Sequence, residues 1–285
     1  MGRTANDLCH QLAQLVETAL IDEVELSPKP GLVDAFSTGA HTDMDHVLFI
    51  RSAQSLTPFF EEMAKAAWGQ PMSQALRETI AEIGRRAETA MLVATGGVNT
   101  HKGAIWALGL LISVVSSQFS RQQVFFPSIF SDVQQLVAFP DRQIQAGSAD
   151  SHGKTVQKKY GLQGAYGEAA AGFPHVQRAL ADFWSRDIPD SDEKRLHMLL
   201  AIIASLDDTC ILYRSNQQVL THVQMLAAKA NSQSLPNADF EQLHMLCLTQ
   251  NVSPGGSADL LAASFFLLSI ASVLPKNHQE VRISE

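Results

Sequence analysis

Residues 25–45 (ELSPKPGLVDAFSTGAHTDMD) concentrate groups capable of acid–base and phosphate chemistry in one turn-rich stretch. The stretch contains Lys29, Asp34, His41 and Asp43. Its prolines restrict the backbone, which limits the entropy lost when a ligand orders the loop. A structural alternative is a helix start, with Asp43 or the preceding threonine as N-cap and acidic side chains facing the helix dipole. We favour function for Asp34 and Lys29, and both interpretations stay open for Asp43.

A second segment, TGGVNTHKGAIW, precedes a strongly apolar stretch. Gly96 and Gly97 before a helix would let backbone N–H groups approach a phosphate, and a helix N-terminus favours negative charge. His101 and Lys102 would add cationic donors, with Asn99 beside them. The spacing is not that of a Walker P-loop, and a tight helix–helix turn also favours glycine. The combination of residue types predicts phosphate binding.

A third segment, NVSPGGSADLL, resembles an ordinary helix start, with Ser253 as N-cap and Pro254 as the first helical residue. That interpretation does not require Gly255 and Gly256, because glycines in a first turn cost helix stability. They predict that a backbone or a ligand approaches closely. Asp259 follows Gly255 by four residues and lies on the same helix face.

Two weaker segments also carry candidate residues. Glu168 lies among small residues in GAYGEAAAG, after a lysine-rich run that is more typical of a solvated face. The segment DDTCILYR supplies Asp208 and Arg214 after an apolar stretch. Its paired aspartates could bind magnesium or simply end the preceding helix.

The composition predicts an all-α fold. Of 285 residues, 46% are hydrophobic but only 7% aromatic, which suits helix-on-helix packing better than a sheet. No long linker divides the chain, so we expect a single-domain multi-helix bundle spanning 1–285, with Gly-rich loops at helix N-termini. We expect a flexible loop at about 140–164 and a frayed tail at about 276–285.

Apolar periodicity places the individual helices. Pro58 is expected to kink or break the second of them. The two most apolar segments are shorter than the roughly 20 residues of a membrane span, and we interpret them as buried helices. The predicted ranges are 6–26, 43–68, 73–94, 103–119, 128–138, 167–184, 193–206, 217–229, 238–250 and 254–274.

Charge and cysteine content narrow the class of protein. The formal charge of −8 argues against nonspecific nucleic-acid binding, so an anionic substrate needs a local basic pocket or a metal ion. Cys9, Cys210 and Cys247 form no C-x-x-C pair, which fits a reducing compartment. The N-terminus lacks the apolar core of a signal peptide, so we expect a cytoplasmic protein with no membrane contact. Exposed apolar helix faces could pair two copies as a homodimer.

The motifs PKPGLVD with GAHTDMD, GGVNTHKGAI and SPGGSADLLA together resemble the triphosphoribosyl-dephospho-coenzyme A synthase family. The resemblance covers about residues 20–268, and the set in this order is highly specific. It implies an all-α pentosyltransferase that moves the ribose triphosphate of ATP to a hydroxyl of 3′-dephospho-coenzyme A and releases adenine. The product would be the precursor of the prosthetic group of the acyl carrier subunit of citrate lyase or malonate decarboxylase.

The resemblance also implies site residues. They are Glu23, Lys29, Asp34, His41 and Asp43 in the first motif, Asn99, His101 and Lys102 in the second, and Ser253, Gly255, Gly256 and Asp259 in the third. Two departures leave open which groups hold phosphate and which lyase is served. Tyr166 stands where the family pattern has arginine, and Cys210 where it has asparagine, with two glycines after Arg214 also replaced.

The implied chemistry assigns hypothetical roles. Displacing adenine puts positive charge on the ribose, as in glycoside cleavage. The catalytic candidates are therefore acids and a histidine that could accept the hydroxyl proton or stabilise the ribose, namely Asp34, Asp43, His41 and Glu168. Phosphate contacts would come from Lys29, His101, Lys102, Arg214 and the glycine-rich loops, and Mg²⁺ would be held by Glu23, Asp208 and Asp259.

Two other functions remain compatible with these residues. An N-ribosyl hydrolase would use the same acids and magnesium, with water as the acceptor. A noncatalytic nucleotide-binding partner of the lyase would bind ATP or the carrier protein without turnover. The acid and histidine content of the three loops favours an enzyme.

Overall fold

The computed structural model describes residues 4–121, 124–143 and 152–273, and every regular element in those ranges is a helix. The all-α prediction is confirmed. In chain order the helices are α1 (Ala5–Glu25), α2 (His46–Ala67), α3 (Gln74–Ala94), α4 (Lys102–Ser120), α5 (Phe126–Ala138), α6 (His152–Tyr160), α7 (Gly164–Ala170), α8 (Pro174–Ser185), α9 (Asp192–Ile203), α10 (Thr209–Arg214), α11 (Gln217–Asn231), α12 (Ala238–Thr249) and α13 (Gly255–Val273).

Local sequence fixes where most of these helices begin. Thr4 and Asp7 form a capping box at α1, and Ser73 accepts the N–H of Leu76 at α3. At α2 the N-cap is Asp45 rather than Asp43 or its neighbour, since the Asp45 carboxylate accepts the N–H of Leu48 at 2.8 Å. Short polar side chains also cap α9, α10, α11 and α12.

The two most apolar helices lie at the centre of the bundle. Helix α4 packs against α1, α2, α3 and α13, and α13 also packs against α1, α8 and α9. Both are long and apolar enough to cross a membrane by length and composition alone. However, 78% of the most apolar window of α4 and 56% of that of α13 is buried inside the protein. This burial is that of core helices rather than of membrane-exposed ones.

Several boundaries differ from the sequence predictions. Helix α2 continues through Pro58, because the neighbouring Leu56 and Phe60 are both buried in the core. The helix predicted at 167–184 is two helices, α7 and α8, separated by a left-handed turn at Phe173 before Pro174. Helix α10 was not predicted, because six residues are too few to show a helical period.

The predicted flexible loop and frayed tail lie partly or wholly outside the described residues. Within the range 140–164, the segment His152–Tyr160 is helical as α6, which buries Val156 and packs against α10. Residues 144–151 and the predicted tail at 276–285 are not described.

Candidate active site

Asp259 brings the N-terminus of α13 against the N-terminus of α4. The N-cap residue of α4, His101, makes no side-chain capping hydrogen bond. Instead, the carboxylate of Asp259 accepts the backbone N–H of Ala104. A Cβ atom on Gly103 would lie 2.0 Å from Oδ2 of Asp259, so this approach requires glycine. The carboxylate thereby satisfies a free N–H group at the positive end of the α4 dipole.

Asp208 joins the starts of α10 and α13. Its Oδ1 accepts the N–H groups of Cys210 at 2.9 Å and Gly256 at 3.3 Å. Its Oδ2 accepts the N–H of Ser257 at 2.9 Å and the hydroxyl of Ser257 at 3.0 Å. A Cβ atom on Gly256 would lie 3.2 Å from Oδ1, and one on Gly255 would lie 3.1 Å from Sγ of Cys210. The close approach predicted for these glycines is therefore made by side chains at the start of α10.

Ser253 does not cap α13, so that structural interpretation was wrong. Its hydroxyl is buried and has no hydrogen-bond partner among the described residues. Asp208 supplies the cap from another part of the chain, because its two oxygens reach the first free N–H groups of the helix. A nucleotide contact by Ser253 stays a prediction.

Lys29 and Glu23 form a buried ion pair at the end of α1. Nζ of Lys29 donates to Oε1 of Glu23 at 2.5 Å and also to the carbonyl oxygen of Glu23. Both residues are almost fully buried, at 1% and 4% exposed. Burial raises the pKa of the Glu23 carboxyl, and the Lys29 ammonium opposes that change. Lys29 is thus committed to a protein carboxylate, which differs from the phosphate contact that the sequence predicts.

Two of the predicted metal-binding acids, Glu23 and Asp208, act electrostatically on the third, Asp259. Burial raises the pKa of Asp259 well above its ordinary value, and the nearby charges of Glu23 and Asp208 raise it further. Burial also raises the pKa of Asp208, against the effect of its hydrogen bonds. Lys29 pairs directly with this acidic centre, through Glu23.

This acidic centre does not fit a preformed metal site. Across the described ranges, no three His, Cys, Asp or Glu side chains are grouped so that they could hold one metal ion. The oxygens of Asp208 are occupied by hydrogen bonds and Glu23 is paired with Lys29. The magnesium set predicted from Glu23, Asp208 and Asp259 is therefore not preassembled.

Asp34 shapes the loop that carries Lys29. Its Oδ2 accepts the N–H of Lys29 at 3.0 Å, and its Oδ1 accepts the N–H groups of Phe36 and Ser37, each at 2.9 Å. The residue is buried, at 3% exposed. By accepting three backbone N–H groups, the Asp34 carboxylate anchors the loop. The catalytic role of Asp34 stays a prediction.

His101 is neutral rather than cationic. It is buried, and burial followed by the Lys29 charge lowers its pKa to about 3. Its Nδ1 contacts the Ser52 hydroxyl at 2.7 Å, and that hydroxyl contacts the Thr100 hydroxyl at 2.6 Å. Its Nε2 is buried and has no hydrogen-bond partner among the described residues. His101 therefore presents a neutral ring nitrogen near Lys29 instead of a positive charge for phosphate.

The remaining residues of the second motif lie at the edge of the centre. Gly96 and Gly97 adopt positive φ angles of 67° and 95°, and their N–H groups bond to carbonyls of the last turn of α3. Asn99 accepts the backbone N–H of Lys102 at 3.2 Å. The ammonium of Lys102 pairs with Glu88 of α3 at 2.8 Å. The glycines therefore end α3, as a tight helix–helix turn requires.

Arg214 ties α10 to the first motif. Its guanidinium donates to the carbonyl of Ala40 at 3.2 Å and contacts Nδ1 of His41 at 3.1 Å. Burial and then the Arg214 charge lower the pKa of His41, while Asp43, at 3.6 Å, opposes that change. Asp43 itself is exposed and lines an open depression of about 460 Å³ that also includes Arg51.

Glu168 caps α8. Its Oε1 accepts the backbone N–H of His175 at 2.9 Å, and its Oε2 contacts Nδ1 of the same histidine at 2.7 Å. No contact links it to the acidic centre among the described residues. The structure thus explains Glu168 by helix capping, and its predicted catalytic role stays untested.

The structure therefore groups residues from all three motifs and from the segment DDTCILYR. Those in or next to the acidic centre are Glu23, Lys29, His101, Asp208 and Asp259. Sequence reasoning missed Gly103, although a glycine in the first turn of an apolar helix is a usable signal. It also missed Ser52, which lies inside α2 with no local signal.

Comparison with known proteins shows similarity to one family over most of the chain. Residues 9–278 match the model of the family described as ATP:dephospho-CoA triphosphoribosyl transferase. The 2-(5''-triphosphoribosyl)-3'-dephosphocoenzyme-A synthase of Klebsiella pneumoniae is 41% identical over 268 residues, covering 91% of this chain and 94% of that protein. A relative in Pseudomonas fluorescens Pf-5, named as a probable synthase of the same kind, is 44% identical and covers 93% of both chains.

A solved structure from Archaeoglobus fulgidus, described as a triphosphoribosyl-dephospho-CoA synthase, aligns weakly. It has a TM-score of 0.48 and 17% identity, and the alignment covers 76% of this chain and 95% of that one. The family match and the curated relatives span nearly the whole chain. The chain belongs to the ATP:dephospho-CoA triphosphoribosyl transferase family.

Proposed function

We propose that this chain transfers the 5-triphosphoribosyl group of ATP to a hydroxyl of 3′-dephospho-coenzyme A and releases adenine. The observation that carries the proposal is the family match over residues 9–278, whose motifs build the acidic centre between α4, α10 and α13. The curated relatives are named for the product of this reaction.

The reaction makes clear demands on the site. The bond between ribose C1′ and adenine N9 breaks, and its electron pair leaves with adenine, which takes up a proton. A bond forms between the acceptor oxygen and C1′, and the hydroxyl proton passes to a base. Positive charge develops on the ribose during this exchange, so nearby carboxylates stabilise the transition state.

Among the acidic residues, Asp259 is the best placed to face the ribose. The structure shows one backbone N–H group as its hydrogen-bond donor, whereas Asp208 and Asp34 each accept several. We assign Asp259 to the stabilisation of the cationic ribose, because the positive charge on the ribose favours the ionised form of this carboxyl, whose pKa is otherwise raised. We assign the proton of the acceptor hydroxyl to the pair His41 and Asp43 at the edge of the loop, 3.6 Å apart.

The triphosphate needs positive charge, which an acidic protein must supply locally. The N-termini of α4 and α13 contribute dipoles, and Lys102 and Arg214 lie at the edge of the centre. Magnesium fits best as part of the substrate MgATP, because it commonly binds to phosphates with only one or two protein carboxylates.

Product analysis tests the reaction. The protein is incubated with MgATP and dephospho-coenzyme A, and the products are separated by chromatography, then identified and quantified by mass spectrometry. We expect equal amounts of free adenine and a triphosphoribosyl adduct. ADP or AMP without adenine would overturn the proposal. Adenine release that does not need dephospho-coenzyme A would identify a hydrolase, and ATP binding without products would identify a noncatalytic partner.

A matched pair of variants tests the role of Asp259. Asp259→Asn should lower kcat by about 100-fold or more, in the range of a lost electrostatic stabiliser. Asp239→Asn changes an aspartate in the first turn of α12, outside the acidic centre, and should leave kcat unchanged. Equal activity of both variants would remove Asp259 from the mechanism.

We further propose that the product serves the acyl carrier subunit of citrate lyase or malonate decarboxylase in the cytoplasm. Deleting the gene should leave the carrier subunit of one of these enzymes without the mass of its prosthetic group. A carrier subunit of normal mass in the deletion strain would contradict the assignment.

We also propose that the protein is a homodimer. Light scattering of the pure protein tests this oligomeric state.

A further inference from the structure

A buried arginine in α3 has no acidic partner among the described residues. Arg77, in the first turn of α3, is 5% exposed. Its Nε and Nη1 atoms are buried and have no hydrogen-bond partner in the part of the chain that the structure describes. Within the described ranges, no carboxylate forms an ion pair with it. Burying a guanidinium without such partners costs on the order of several kcal/mol. A buried, unpaired arginine therefore indicates that an anion binds next to it.

The surroundings of Arg77 orient its guanidinium. The group lies 5.0 Å from the centre of the Trp106 ring, in a cation–π contact. The indole is fixed in turn, since its Nε1 donates to the carbonyl of Ala165 at 3.1 Å. Asp141 is close enough to influence Arg77 electrostatically, but its carboxylate is bound to Arg85 at 2.7 Å.

The cluster is connected through neighbouring residues to the start of α4 and the start of α10, and it reaches solvent. Trp106 lies one helical turn after Lys102 on α4, whose N-terminus is held by Asp259. A Cβ atom on Gly164, next to Ala165, would lie 3.4 Å from the Thr209 side chain, directly after Asp208. Tyr166 is close enough to Arg77 to influence it electrostatically, and it is 50% exposed, so this side of the cluster reaches the protein surface.

We propose that Arg77, stacked on Trp106, forms an anion subsite that binds a phosphate group of one of the two substrates. The chemistry favours phosphate, because the planar fork of a guanidinium offers parallel N–H donors that match two oxygens of one phosphate. The source is either the triphosphate of ATP or the diphosphate of dephospho-coenzyme A. The identity of these substrates rests on the proposed function. The binding of phosphate by Arg77 does not.

Inorganic pyrophosphate is the probe that tests this subsite directly. Thermal melts in phosphate-free buffer, with and without pyrophosphate, compare the wild-type protein with Arg77→Met. The control is Arg86→Met, which removes an exposed arginine of the same helix that pairs with Glu62 and stacks on Phe59. We expect the wild type and the control to melt higher with pyrophosphate, and Arg77→Met to bind it about 10- to 100-fold more weakly.

The stability of the ligand-free variant is a second readout. Replacing an unpaired buried charge by an apolar side chain of similar size is neutral or stabilising, so Arg77→Met should melt no lower than the wild type without pyrophosphate. If Arg77→Met does not fold, Arg77→Lys is titrated with pyrophosphate instead. Weaker binding by the lysine variant supports the subsite, and unchanged binding overturns it.

Steady-state kinetics identify which substrate supplies the phosphate. In Arg77→Met, the KM should rise about 10-fold or more for the substrate whose phosphate is bound and stay unchanged for the other. A wild-type protein that does not bind pyrophosphate, or a variant with unchanged pyrophosphate affinity, would overturn the subsite. Pyrophosphate binding that depends on Arg77, in a protein that releases no adenine, would overturn the proposed function and leave the subsite standing.

Discussion

Oδ2 of Asp259 lies 2.0 Å from the position that a Cβ atom on Gly103 would occupy. Any side chain at position 103 would therefore collide with the carboxylate that accepts the N–H of Ala104. This contact joins the two central apolar helices at their N-termini and holds the Asp259 carboxylate in its position within the acidic centre. The glycine is thus required by the position of a proposed catalytic group rather than by the helix that contains it.

We expect Gly103→Ala to displace Asp259. Overpacking of this kind costs about 1–3 kcal/mol of stability, and the displaced carboxylate should lower kcat by at least about 10-fold. Thermal melts and steady-state kinetics measure both effects. The control is Gly84→Ala in α3, where a Cβ atom would make an ordinary contact with Met63 at 3.7 Å. A fully active Gly103→Ala protein would show that Asp259 can move without consequence.

Lys29→Met should destabilise the protein by about 3–5 kcal/mol, because it leaves the buried carboxylate of Glu23 without its counter-ion. Adding Glu23→Gln to the same chain should recover much of that loss, since the second change removes the stranded charge. Chemical denaturation of the two single variants and the double variant measures the coupling. Strictly additive losses would mean that the pair contributes nothing beyond its separate contacts.

Glu168→Gln separates helix capping from catalysis. The glutamine keeps one acceptor for the N–H of His175 but loses the charged contact with its ring, so stability should fall by about 1 kcal/mol. We expect kcat to change by less than about threefold, because Glu168 has no described contact with the acidic centre. A loss of kcat of about 100-fold with normal stability would favour the catalytic role that the sequence suggests.

The sequence predicted the helices well where their apolar spacing was long and their caps were local. The range 73–94 matches α3 because Ser73 is a recognisable N-cap, and α11 and α12 start at Gln217 and Ala238 as predicted. The sequence failed where distant residues decide the outcome. Ser253 appeared to be a cap, but the cap comes from Asp208, 45 residues earlier in the chain.

The candidate site shows the same division. Residue types and motif order identified Glu23, Asp208 and Asp259, and the structure places the first two within electrostatic reach of Asp259. The partners of each side chain could not be read from the sequence, because they depend on packing between helices. Lys102 pairs with Glu88 of α3, and His101 loses its charge through burial. Nothing in the sequence around Lys102 or His101 indicates that the lysine is paired or that the histidine is uncharged.

The burial of His101 should make stability depend on pH in a predictable direction. Its pKa is about 3 in the folded protein, compared with an ordinary value of 6.5 for histidine. Between those values the unfolded chain binds one more proton than the folded protein at this residue, so stability from His101 is lost as pH falls below 6.5. His101→Gln cannot bind that proton. The free energy of unfolding, measured by chemical denaturation at pH values from 7 to about 4.5, should therefore decrease less steeply for the variant than for the wild type. Parallel curves would mean that the ring is protonated equally in both states.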